Sequence, residues 1–135
     1  MLANKTIVLG ITGSIASYKS ADLASKLTQD GARVEVIMTE SATRFISPIT
    51  FRGVTSRPVV TSMWEMSSGF SIEHVALAEA ADIVVIAPAT ADIIAKLANG
   101  IADDSLTCTV LATKAPVLIA PAMDTGMWRN SITQE

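Results

Sequence analysis

The sequence predicts an α/β fold, a parallel sheet with helices packed against its faces. Short runs of apolar and β-branched residues alternate with amphipathic segments, which is how successive βαβ units appear in a sequence. The runs end in turns made of glycine, alanine, proline and hydroxyl residues. Each turn leads into a segment of helical periodicity. With 135 residues, half of them hydrophobic, the chain has the size and content of one domain with a single core and no internal linker.

The first strand is expected over residues 6–12 (TIVLGIT), nearly all apolar as in a strand covered on both faces. A helix over 15–29 follows, with Ala16, Leu23, Ala24 and Leu27 spaced to share one face and Gly31 closing it. Residues 33–38 (RVEVIM) form a second strand. Residues 39–70 are less regular; a short helix is expected about 41–46, and Pro48, Gly53 and Pro58 punctuate the remainder. A helix over 71–81 has Ser71 as its N-cap and Ile72, Val75 and Ala76 on one face. The third strand is 83–87 (IVVIA). Helices over 91–98 and 103–112 come next, the second with Asp103 and Asp104 at its positive end. The fourth strand is 117–120 (VLIA), and Pro121 begins a new turn. Open sheets of this type usually have five or more strands, so a fragment lacking its last strand and helix is expected.

Bulk properties exclude several function classes. Charged residues make up 17% of the chain, the formal charge is −3 and the basic residues are scattered, so nucleic acid is not an expected partner. A mean hydropathy of +0.44 suggests some apolar surface for partner subunits. No apolar run is long enough to span a membrane, and the N-terminus reaches Gly10 and Thr12 too early for a signal peptide. Cys108, the only cysteine, cannot form an internal disulfide and agrees with a reducing cytoplasm. It reads as a small core residue of its helix. With one histidine and one cysteine, no metal site is expected.

Chemistry is expected at the strand ends. Gly10-Ile-Thr-Gly13-Ser14-Ile15 joins a strand to a helix, which places backbone amides and the helix dipole where a phosphate can sit. The turn is neither the GxGxxG fingerprint nor a Walker A loop, and suits a mononucleotide better than a dinucleotide. Such a turn is as often a plain tight connection. The later ends, Thr39-Glu40-Ser41, Ala87-Pro88-Ala89-Thr90 and Ala120-Pro121-Ala122-Met123, offer small residues against which a flat ring can lie and hydroxyls to bond it. His74, the only histidine, is the natural general base of the chain by its titration range, although a lone histidine is more often structural.

Together, TGSIASYK, HVALAEAAD, IVVIAPATADIIAKLANGIADDSLT and APAMDTGMW resemble the homo-oligomeric flavin-containing cysteine decarboxylases, in order and over essentially the whole chain. The likeness is strongest to the phosphopantothenoylcysteine decarboxylases of coenzyme A synthesis, the N-terminal half of a bifunctional enzyme. It implies a Rossmann-like flavoprotein domain over residues 1–135 that binds FMN. It also implies decarboxylation of 4'-phosphopantothenoylcysteine to 4'-phosphopantetheine, and a trimeric or dodecameric assembly in the cytoplasm. Carried across by position, Gly13, Ser14 and Ile15 hold the phosphate with Thr39 and Ser41 nearby. Thr90, Ala91, Asp92 and Ile93 line the flavin with Ala122 and Met123, and His74 matches the family's essential histidine. Asp92 and Ile93 stand where plant-type members have Asn-Thr.

The chain departs from this pattern at two places. Asp124 stands where the family has an asparagine that holds the substrate carboxylate, and a carboxylate accepts hydrogen bonds but does not donate them. The chain also stops before the family's substrate-covering loop and its cysteine. The resemblance therefore leaves two other readings open, a flavin-binding regulatory subunit without turnover and a decarboxylase of peptide C-terminal cysteine.

Overall fold

Five strands, β1 (Thr6–Ile11), β2 (Arg33–Met38), β3 (Val59–Val60), β4 (Ile83–Ala89) and β5 (Val117–Pro121), form one sheet in the order β3-β2-β1-β4-β5. Every neighbouring pair is parallel. The computed structural model describes residues 1–61 and 70–135, and the backbone alone for 70–74.

The connections are α1 (Ser17–Gln29), a 3₁₀ turn (Ala42–Arg44), α2 (Pro48–Thr55), α3 (Phe70–Ala80), α4 (Ala91–Ala98) and α5 (Ser105–Ala112). Two short helices, α6 (Thr125–Arg129) and α7 (Ser131–Gln134), follow the last strand. From β1 the sheet grows outward in both directions, through β2 on one side and β4 on the other. The winding therefore reverses between β1 and β4, and in an open parallel sheet that reversal opens a crevice at the carboxyl ends of the strands.

Because β1 is covered on both faces, its side chains feed two cores. Ile7, Leu9 and Ile11 join Val34, Val36 and Met38 of β2 with Ala24 of α1 and Phe51 of α2. Val8 points the other way and packs with Ile37, Val84, Ile86, Ile93 of α4 and Leu106 of α5. The continuous apolar run of β1 is thus the alternating pattern of two buried faces. The one acid of β2, Glu35, is buried and paired with Arg33 at 3.2 Å and with Arg57.

The helix after β1 begins at Ser17, two residues later than its periodicity predicts. Residues 13–16 form a turn instead, closed by the Ser17 amide donating to the Ser14 carbonyl at 2.9 Å. Gly31 follows the helix at φ +100°, a conformation that glycine takes freely. Helix α2 and strand β3 lie where no regular element is expected. Ser47 caps α2 by accepting from the Ile49 amide at 3.3 Å, and Pro48 opens it. Among the described side chains of α3, Ala78 is buried and Leu77 packs against the core, with Val75 and Ala76 exposed, so these last two do not lie on the buried face as expected; Ile72 lies outside the described side chains. Strand β4 runs to Ala89. A register irregularity lies between Ile86 and Ala89, around a proline that has no amide to donate to the ladder.

Strand β5 pairs with β4 but every one of its residues is exposed, Leu118 at 57%. No helix among the described residues is long and apolar enough to cross a membrane.

Candidate phosphate-binding cleft at the strand ends

A cleft of about 460 Å³ opens at the carboxyl ends of the strands, at the winding reversal. Thr12 and Gly13 enter it after β1, Thr39, Glu40 and Ser41 after β2, and Thr61 after β3. Thr90, Asp92, Ile93 and Lys96 reach it from the β4–α4 side, and Asp103 and Asp104 from the start of α5.

Thr12 joins the two central strands. The residue is 2% exposed, and its hydroxyl donates to the Pro88 carbonyl at 2.5 Å and accepts from the Thr90 amide at 3.1 Å. Nearby, Ser17 donates to the Thr12 carbonyl at 3.0 Å and Ser20 to the Ala87 carbonyl at 2.6 Å. These hydroxyls satisfy the carbonyls that the ladder leaves over where β1 and β4 diverge. Thr12→Val keeps the shape but leaves the Thr90 amide without its acceptor. It should cost roughly 1–3 kcal/mol, read as a lower urea midpoint with an unchanged slope.

The Gly13 turn leads directly into the 13-residue helix α1. Ser14 Oγ accepts from the Ala16 amide at 3.1 Å. The amides of Gly13, Ser14 and Ile15 donate to no acceptor among the described residues. Donors gathered at a helix N-terminus favour an anion through both hydrogen bonds and dipole. A Cβ built on Gly13 would lie 2.5 Å from Ser41 Cβ, so the turns after β1 and β2 touch there and only glycine fits.

Helix α4 starts inside the cleft, capped by Thr90 Oγ1, which accepts from the Ile93 amide at 3.2 Å. One turn on, Lys96 Nζ lies 3.1 Å from Asp103 and 3.4 Å from Asp92. Its hydrogen bond to Asp103 raises the Lys96 pKa above the ordinary lysine value. Asp104 caps α5 in a capping box with Thr107. Cys108 lies half-buried on α5, and burial, followed by Asp104 and Asp103, pushes its thiol pKa up. That leaves little thiolate near neutrality.

Of the residues singled out in the sequence, Gly13, Thr39, Ser41, Thr90, Asp92 and Ile93 come together around this cleft. Ser14 and Ile15 belong to its first turn, with the Ile15 side chain 81% exposed, and Ala91 is the first residue of α4. Ala122 and Met123 follow β5 instead. The Ala122 amide donates to the Ala89 carbonyl at 2.9 Å, and Met123 lines a second cavity of about 400 Å³ with Pro121, Thr125 and Trp128. Asp124 caps α6, its carboxylate accepting from the Gly126 amide at 2.9 Å. His74 lies on α3, but its side chain falls outside the described residues. Thr61, Lys96, Asp103 and Asp104 are cleft residues that sequence reasoning assigned to no site, and Thr12 and Glu40 lie within strand ends it named without being singled out. Only the Ala-Asp-Asp run at 102–104 carried a signal, and it was legible as a helix start.

Sheet order, crevice and amide-lined turn define an open-sheet α/β protein built to hold a nucleotide phosphate. The chain matches the family model described as Flavoprotein over residues 1–135, and it belongs to that family. It is 51% identical over 134 residues to the coenzyme A biosynthesis bifunctional protein CoaBC of Vibrio cholerae, covering 99% of this chain and 34% of that protein. To the protein of the same name from Bacillus subtilis it is 52% identical over 128 residues, covering 95% and 32%. The chain thus spans about a third of the length of the curated relatives it matches. Among solved structures it is similar to the FMN-dependent cysteine decarboxylase SpaF, with a TM-score of 0.90 and 38% identity over 99% of this chain and 77% of that one. It is also similar to a PPC decarboxylase mutant complexed with pantothenoylaminoethenethiol, with a TM-score of 0.81 and 30% identity over 96% and 73%. These neighbours agree with the Rossmann-like flavoprotein fold expected from the sequence.

Proposed function

We propose that residues 1–135 form a single FMN-binding domain that decarboxylates 4'-phosphopantothenoylcysteine to 4'-phosphopantetheine in coenzyme A biosynthesis. The observation that carries this reading is the Gly13 turn, which lines the crevice at the winding reversal and leads into α1 with the amides of residues 13–15 donating to no acceptor among the described residues. The relatives named for coenzyme A biosynthesis and the PPC decarboxylase neighbour support the reaction.

The residues present fit FMN. Gly13, Ser14 and Ile15 would hold its phosphate, with the hydroxyls of Thr39 and Ser41 beside them. Thr90, Ala91, Asp92 and Ile93 at the start of α4 would supply the bed for its ring; Ala122 and Met123, which the resemblance adds to it, lie after β5 and outside the lining of this cleft. The chemistry such a cofactor supplies when bound is a two-electron exchange with the substrate thiol. The protein binds, orients and moves protons. His74, which matches the family's essential histidine, would handle the protons, and Asp124 would stand beside the substrate carboxylate. The working form is a cytoplasmic trimer or dodecamer, a reading that the exposed apolar residues of β5 support.

Asp124 favours a second reading, a flavin-binding subunit without turnover, because a carboxylate repels a substrate carboxylate. The visible absorption spectrum of the purified chain, with and without added FMN, tests the cofactor site. Flavin bands that travel with the protein through gel filtration are expected. A colourless protein that ignores FMN would sink the flavin reading and leave the fold standing.

A further inference from the structure

The α4 side of the cleft has a charge arrangement that the proposed function leaves unused. Glu40, Asp92, Asp103 and Asp104 place four carboxylates in its lining, and Lys96 is the one cation among the described lining residues. The Lys96 side chain is only 27% exposed, whereas those of its partners Asp92 and Asp103 are 75% and 51% exposed. The ammonium thus sits in the wall with two carboxylates drawn against it. The loop between α4 and α5 is fixed to the same residue, since the Ile101 amide donates to the Lys96 carbonyl at 2.9 Å.

A phosphomonoester carries up to two negative charges, and carboxylates lining the same cleft repel it over distances that salt screens only in part. We propose that Lys96 is a charge-compensating positioning residue: by holding Asp92 and Asp103 it lowers the negative field across the cleft, and so lets a phosphomonoester bind where an uncharged analogue needs no such help. The proposal rests on the flavin reading and names the determinant by which the site separates FMN from riboflavin.

The test titrates the full chain and its Lys96→Met variant with FMN and with riboflavin, following flavin fluorescence at low and high salt. At low salt the FMN Kd should rise roughly tenfold in Lys96→Met, as expected for removing one positive charge near a dianion. The effect should shrink to about twofold at high salt, with riboflavin changed by less than about twofold throughout. Lys96→Arg should restore FMN binding. The variant Asp103→Asn, which keeps Lys96, should tighten FMN about twofold or more and leave riboflavin unchanged, and it reads the same field if Lys96→Met does not fold. Equal weakening of FMN and riboflavin in Lys96→Met, or an Asp103→Asn variant indifferent to the phosphate, overturns the proposal. Wild-type protein that binds neither flavin overturns the cofactor reading itself, which is a different result.

Discussion

Gly13→Asp is expected to weaken FMN binding by more than about 100-fold and to yield a colourless protein. Two separate causes act. The first is steric: a Cβ at Gly13 meets Ser41 Cβ at 2.5 Å and the Ser41 carbonyl carbon at 3.1 Å. The two turns must move apart, and with them the amides of residues 13–15. The second is electrostatic, because the aspartate carboxylate competes for those donors and repels a phosphate. Gly13→Ala separates the causes, since it keeps the clash and adds no charge, and its loss should be smaller. Fluorescence titration with FMN measures both. A Gly13→Asp protein that binds FMN like wild type would take the phosphate away from this turn.

Asp124→Asn is expected to raise decarboxylation of 4'-phosphopantothenoylcysteine by about 100-fold without disturbing the fold. The magnitude is that of gaining one well-placed donor at a charged group in an active site. The fold should be indifferent, because Asp124 acts locally as the N-cap of α6 and asparagine caps as well as aspartate. The substitution therefore leaves the Gly126 hydrogen bond available while replacing a repelling carboxylate by an amide that donates. Carbon dioxide release measures the rate, and thermal melts of both proteins should agree within a few degrees. If Asp124→Asn is as slow as wild type while FMN is bound, Asp124 is not what limits turnover, and the subunit reading without catalysis gains.

The central sheet was legible because burial on both faces leaves an unmistakable run of β-branched and apolar residues, as in β1, β2 and β4. Strand β3 has only two residues, too few to carry any period. The start of α2 was written in the sequence as Ser47-Pro48, a cap followed by the one helix position that proline prefers, but proline reads first as punctuation. The face of α3 went astray because VALAEAA is apolar nearly all the way round, so its period does not choose a side. At the cleft, Gly13, Ser41 and Thr90 were readable from the rule that ligands sit at the carboxyl ends of strands. Thr12 and Lys96 were not, because their roles exist only through partners distant in sequence or in the next loop. Thr12 meets Pro88 and Thr90 across the sheet, and Lys96 meets Asp103 beyond the end of its own helix.

The Thr12 hydroxyl also bears on what binding a ligand costs. It ties the last residues of β1 to the entrance of α4, so two walls of the cleft are set relative to each other when the chain folds. Less conformational freedom at those two walls then remains to be lost when a ligand arrives, so part of the entropic cost of association is met on folding rather than on binding.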